Sequence, residues 1–189
     1  MTDTGPTGAA HRDARAAWMD LLLPVAAMAV VVVASNILVG YPISDWLTWG
    51  ALTYPVAFLV TDLTNRRFGP ARARRVVYVG FALAVVLSIA LASPRIALAS
   101  GVAFLTAQVL DVAVFDRLRD RVWWLPPLVS STVGSALDTA LFFTLAFAGT
   151  GLPWIGWGIG DFGVKMAVAL ALLPAFRVLS RVRVTAVAR

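Results

Sequence analysis

An all-helical integral membrane fold with six crossings is predicted by three features of the sequence. The chain of 189 residues is 60% hydrophobic and 14% charged, with a mean hydropathy of +0.83, whereas soluble domains run at about 45–50% apolar and about 25% charged. Its length accommodates six helices of about 20 residues joined by short connections. Its arginines recur at intervals that put nearly all of them on one side if six helices alternate. In a soluble protein a net charge of +6 and a pI near 11.0 would suggest a nucleic-acid binder, but too few charges remain here to cover a water-exposed surface. Cysteine is absent, which excludes disulfides and thiolate metal sites.

The elements follow in order. Residues 1–17 form a polar tail rich in Gly, Thr, Ala and Pro, read as disordered and cytoplasmic. The first helix runs from Trp18 to Gly40, too long for a signal-peptide core and therefore retained. The second, Gly50 to Asn65, is the shortest, and the third is expected over Val76 to Ala92 after Gly69-Pro70. The fourth covers Ile96 to Phe115 after the Ser93-Pro94 break, and the fifth covers Pro126 to Ala148. The sixth, Gly158 to Leu179, follows Gly151-Leu152-Pro153. Residues 18–179 thus form a single transmembrane domain, followed by a basic tail at 180–189.

Charge sets the orientation, because loops rich in arginine stay cytoplasmic. Arg12 and Arg15 precede the first span, and Arg66, Arg67, Arg72, Arg74 and Arg75 follow the second. Arg117, Arg119 and Arg121 follow the fourth, and Arg177, Arg181, Arg183 and Arg189 close the chain. These are fourteen of the sixteen basic side chains, all on one side of a six-helix arrangement with both termini cytoplasmic. All seven tryptophans fall at span ends, as an interfacial belt requires.

Ionisable groups inside the spans disfavour insertion by a few kcal/mol each at the bilayer centre, so they mark candidate sites. They are Asp62, Asp111, Asp138, Asp161 and Lys165. At ~1.5 Å per residue, Asp138 is about 18 Å from the cytoplasmic start of its helix and Lys165 about 10 Å from the outer start of its own. Across a ~30 Å core these are similar heights, which permits an ion pair. Asp161, four residues before Lys165, is the competing partner. Asp62 and Asp111 lie near the arginine-rich ends, where the alternative role is a salt bridge to Arg66 and Arg67 or to Arg117 and Arg119.

Helical spacing extends each charge into a stripe. Ser131, Ser135, Asp138 and Phe142 share one face, as do Phe104, Gln108, Asp111 and Phe115. Tyr54, Phe58, Asp62 and Asn65 share another, and Asn36 sits in the outer half of the first helix. Rings to stack on and amides or carboxylates to read an edge are what a planar polar heterocycle requires. The alternative for Gln108, Asn36 and the Ser131, Gly134, Ser135 seam is helix packing. Gly158-Ile159-Gly160-Asp161 matches the GxGD of intramembrane aspartyl proteases, but no second catalytic aspartate accompanies it. His11, the only histidine, lies in the tail, which rules out a histidine-based metal or acid–base site. The chain is not read as an enzyme, and no metal or other cofactor is expected.

Four blocks carry a family resemblance. They are TWGALTYPVAFLVTDLTNRRFGPARARR from Thr48, AQVLDVAVFDRLR from Ala107, WWLPPLVSSTVGSALDTALFF from Trp123 and DFGVKMAVALALLP from Asp161. Together they resemble the queuosine-precursor transporters of the vitamin-uptake-transporter group. The resemblance implies a bacterial inner-membrane carrier for 7-deazaguanine precursors of queuosine, such as the 7-cyano and 7-aminomethyl forms. It also implies a six-helix fold similar to the substrate-binding subunits of energy-coupling-factor transporters, working without their ATPase module. The family-like positions include Tyr54, Pro55, Asp62, Asn65, Gly69, Gln108, Asp111, Gly134, Asp138, Thr139 and Lys165, whereas Arg66 and Ser135 depart from the pattern.

The expected substrate-binding set is Asp138, Lys165, Gln108, Asn36, Asp62, Tyr54, Phe58, Ser135, Phe142 and Asp111. Asp138 would accept the N–H and exocyclic amine of the base as it would a guanidinium. Gln108 and Asn36 would orient the base, and Lys165 would contact its carbonyl or keep Asp138 ionised. Asp62 is a candidate carrier of a coupling proton. The expected partners are the small-molecule base, the lipid bilayer and a second copy in a two-fold dimer, with no nucleic acid. The alternative function is a substrate-binding subunit of an ATP-driven vitamin or nucleobase uptake system.

Overall fold

Proline placement decides where the apolar stretches become helices. A computed structural model describes residues 18–38, 41–44, 47–91 and 93–181. Helix α1 (Leu22–Leu38) is followed by a short antiparallel pair, β1 (Pro42–Ser44) and β2 (Leu47–Thr48). The stretch expected as one helix over Gly50 to Asn65 is two, α2 (Trp49–Thr53) and α3 (Val56–Phe68). Pro55 causes the break: it has no N–H for the carbonyl of Ala51, and its ring would press on that carbonyl in a continuous helix.

The third helix also departs from expectation, since α4 (Pro70–Leu91) begins at Pro70 rather than Val76. Proline is well suited to a first turn, where its N–H would have no partner. Gly69 alone separates α3 from α4, with φ of 85°, a left-handed conformation that disfavours any side chain. Arg72, Arg74 and Arg75 therefore ride on the first turns of α4 instead of a loop.

Helix α5 (Pro94–Leu118) is capped by Ser93, whose hydroxyl accepts from the Ile96 N–H at 3.4 Å. Helix α6 (Leu125–Phe147) carries Pro126 and Pro127 in its first turn. Helix α7 (Trp154–Arg181) starts before the expected Gly158 and runs through Pro174, which leaves the Leu170 carbonyl without its helical donor.

Helices α5, α6 and α7 are each long and apolar enough to cross a membrane. α1 includes a shorter apolar stretch, and α3, with 13 residues, is too short alone for a ~30 Å core at ~1.5 Å per residue.

Burial is inverted relative to a soluble domain. Thr61, Asp62, Asn65, Gln108, Asp111, Ser130, Ser135, Asp138 and Lys165 are buried, while Leu22, Val30, Val86, Leu98, Ile155, Ile159 and Leu170 are exposed. Such an arrangement is stable where the solvent is hydrocarbon, because the polar groups find partners only in the interior. An apolar core of Met28, Val32, Ala57, Val76, Val77 and Phe104 joins α1, α3, α4 and α5. At Gly134 on α6, a Cβ would lie 2.7 Å from Phe58 Cε1 and 3.4 Å from Asp111 Cβ, so glycine permits the approach of α3, α5 and α6.

The arginine-bearing ends of α3, α5 and α7 lie together. Arg66 donates to the Arg119 carbonyl at 2.7 Å and Arg67 to the Leu179 carbonyl. Arg119 donates to the Asn65 carbonyl at 2.7 Å and to Asn65 Oδ1 at 2.6 Å, and pairs with Asp116 at 3.0 Å. At the other end Arg95 donates to the Leu145 and Ala148 carbonyls, covering the C-terminus of α6.

Candidate functional site

Two polar clusters occupy the interior. The first joins α6, α7 and the break between α2 and α3. Lys165 Nζ is 2.7 Å from Asp138 Oδ2 and is also paired with Asp161 Oδ2, one turn earlier on α7. Thr139 Oγ1 accepts from Lys165 at 3.1 Å and donates to Asp161 at 2.7 Å. Tyr54 Oη donates to Asp138 Oδ1 at 3.1 Å. The sequence left Asp138 and Asp161 as competitors for Lys165; the structure gives it both. A lone cation between two carboxylates leaves one net negative charge, which the Tyr54 and Thr139 hydroxyls help to satisfy.

The Pro55 break sets Tyr54 in this position. Its ring makes edge contacts with Phe58 at 6.5 Å and Phe104 at 6.2 Å, and Lys165 Nζ lies 5.6 Å from its centroid. Three aromatic rings thus flank the buried charges.

The second cluster lies toward the arginine-rich end. Asp62 and Asp111 are buried side by side, with Ser130 beside both, and Ser130 donates to Asp62 Oδ1 at 3.1 Å. Both oxygens of Asp111 lack a hydrogen-bond partner. Neither aspartate is ion-paired among the described residues, because the arginines weighed as partners go elsewhere: Arg66 to a carbonyl and Arg119 to Asn65 and Asp116.

Gln108 is one turn of α5 from Phe104 and one from Asp111. Its Oε1 accepts from Thr61 Oγ1 at 2.7 Å, whereas its Nε2 is buried without a partner. A fully buried amide with idle donors is destabilising.

The family model described as "Putative vitamin uptake transporter" matches residues 48–93 and 88–179. The chain belongs to that family. Among vitamin uptake transporter relatives, the "Queuosine precursor transporter" of Escherichia coli (strain K12) is 35% identical, over 79% of this chain and 81% of that one. The "Probable queuosine precursor transporter" of Haemophilus influenzae is 36% identical, over 71% and 69% respectively. A protein of the same description from Bacillus subtilis (strain 168) is 32% identical, over 67% and 69%. No solved structure matches. All three relatives are named as transporters and none as an enzyme; the chain is a multi-pass bacterial membrane protein.

In this member of the vitamin uptake transporter family, the structure brings Asp138, Lys165 and Tyr54 into one cluster, with Phe58 against Tyr54. Asp62 and Asp111 form another. Ser135 is buried and lines a narrow cleft with Asp62, Ser131 and Phe58. Phe142 packs edge-on against Phe143 at 5.2 Å and Phe147 at 5.9 Å. The side chain of Asn36 lies outside the described residues. Sequence reasoning passed over Thr61 and Ser130, although Thr61 stands three residues after Phe58 and seven after Tyr54 on the same helical stripe.

Proposed function

We propose that this chain imports queuosine precursors of the 7-deazaguanine class, the 7-cyano and 7-aminomethyl forms, across the bacterial inner membrane. Six crossings carry it, with the break at Tyr54-Pro55 inside the second and both termini cytoplasmic, in the manner of energy-coupling-factor binding subunits. The names of the relatives support the substrate class, and the observation that carries the reading is the buried Lys165 and Asp138 pair, with the half-buried Asp161 on the same ammonium and with Tyr54, itself packed on Phe58 and Phe104, bonded to Asp138.

A 7-deazaguanine presents an N–H and an amine side by side, which Asp138 accepts through two oxygens once Tyr54 and Lys165 release them. Lys165 remains neutralised throughout, because Asp161 stays on it. The idle Gln108 Nε2 and the Lys165 ammonium are the donors available to the base carbonyl. The fused rings stack on the aromatic trio, an interaction worth about 1–3 kcal/mol per base in single-stranded nucleic-acid sites.

The test is restoration of queuosine in tRNA in a strain unable to make or import the precursors, fed each 7-deazaguanine in turn. Restoration with at least one is expected, and failure with all overturns the substrate assignment. Uptake into liposomes by the purified protein alone is expected as well; a requirement for an ATPase would overturn the stand-alone carrier.

A further inference from the structure

Asp111 is a buried carboxylate with neither oxygen in a well-formed hydrogen bond, next to a second carboxylate faced by hydroxyls. Asp111 is 0% and Asp62 1% exposed. The groups that face them are the Ser130 and Ser131 hydroxyls of α6 and, from α7, apolar Leu172 and Phe176. The cations of the neighbouring helices are engaged elsewhere: Lys165 on Asp138 and Asp161, Arg119 on Asp116 and Asn65, Arg72 on Asp20. Two ionised carboxylates in contact, in an apolar interior without a cation, repel without compensation. One proton between them removes a charge and supplies the O–H donor that Asp111 lacks.

The cleft beside Asp62 has a volume of about 20 Å³. A single water needs about 10–15 Å³ of such space, so the cleft is large enough to admit a water. Its polar lining steps from Ser135, one turn of α6 from Asp138, through Ser131 to Asp62. Serine hydroxyls along such a cleft, bridged by a water, are groups that can relay a proton.

We propose that Asp62 and Asp111 form a proton-binding site that holds one proton between them, and that this proton, passing along the Ser131 and Ser135 cleft, couples substrate movement to the proton gradient. The coupling role rests on the transport reading; the bound proton does not. Infrared spectra of the purified full-length protein at neutral pH decide the proton. The wild type is expected to show a carboxylic-acid C=O band that shifts on deuteration and is lost in the double variant Asp62→Asn, Asp111→Asn. Ser130→Ala, which keeps both carboxylates, is expected to shift that band without removing it.

A wild-type spectrum without the band, or a band that survives in the double Asn variant, overturns the site whether or not the protein transports. In proteoliposomes, an inward proton gradient is expected to speed wild-type uptake of labelled 7-cyano-7-deazaguanine several-fold. In Asp111→Asn, whatever uptake remains is expected to run at the same rate with and without the gradient. Wild-type uptake that ignores the gradient overturns the coupling role and leaves the transport reading standing. Absence of both uptake and exchange overturns the transport reading and coupling with it, and the infrared band still decides the proton.

Discussion

Lys165 and Asp138, on helices α7 and α6, meet at 2.7 Å in the interior of a chain whose outer surface is apolar. The pair is not closed, because Asp161 holds the same ammonium from one turn away. Asp161 can keep Lys165 compensated while Asp138 turns to a ligand, so the two carboxylates have different duties despite similar surroundings.

That difference is measurable. Asp138→Asn is expected to lower uptake by about 10- to 150-fold or more, the equivalent of about 1.5–3 kcal/mol for each hydrogen bond to a charged group. Asp161→Asn keeps its oxygen for Thr139 and Lys165, and is expected to reduce uptake by less than about tenfold. Initial-rate uptake at equal membrane expression checks the pair; equal losses would mean that the aspartates act as one unit.

Removal of the cation alone should hurt folding more than removal of the whole cluster. Lys165→Met strands the buried Asp138 and the half-buried Asp161 and is expected to destabilise by about 3–5 kcal/mol. The triple variant Lys165→Met, Asp138→Asn, Asp161→Asn restores most of that stability but no uptake. Thermal melting in detergent reads the first effect and transport the second.

Tyr54 has two separable parts. Tyr54→Phe keeps the ring against Phe58 and Phe104 but frees Asp138 Oδ1 of its hydroxyl donor. Binding within a few-fold of wild type is expected. Tyr54→Ala removes the stacking face and is expected to weaken binding by about 1–3 kcal/mol, roughly 5- to 150-fold. Scintillation proximity binding with the labelled 7-cyano base distinguishes the variants.

The sequence made the helical class, the one-sided arginines and the Asp138 to Lys165 height match legible, since each follows from period, rise and charge. Hydropathy could not show that Tyr54-Pro55 splits a helix, because apolar residues continue on both sides of the break. It also hid the start of α4, where Arg72, Arg74 and Arg75 lower the hydropathy of residues that are nonetheless helical. Phe142 shares a stripe with Asp138 yet packs on its own aromatic neighbours. Asp62 and Asp111 looked like partners for nearby arginines because sequence distance was the only distance available. In three dimensions those arginines satisfy carbonyls, Asn65 and Asp116 instead.

Gly134 is expected to be intolerant of a single methyl. A Cβ there meets Phe58 Cε1 at 2.7 Å, between helices that also position Asp111. Gly134→Ala should destabilise by about 1–3 kcal/mol through overpacking. Combining it with Phe58→Leu, which removes the clashing ring edge, should recover more than half of the loss. Failure of the second change to rescue the melting temperature would place the strain elsewhere.

Gln108 offers the sharpest separation of stability from function. Its Oε1 is satisfied by Thr61 but its buried Nε2 is not, and an unpaired buried donor is destabilising by about 1–3 kcal/mol. Gln108→Leu, nearly equal in volume, removes that donor while leaving the Thr61 hydroxyl bonded to the Ala57 carbonyl at 3.0 Å. The variant is therefore expected to melt at or above the wild-type temperature and to bind the 7-deazaguanine at least tenfold more weakly, because the base carbonyl loses a donor. A Gln108→Leu protein that melts lower and binds normally would make the amide a helix-packing group and leave Lys165 as the carbonyl donor.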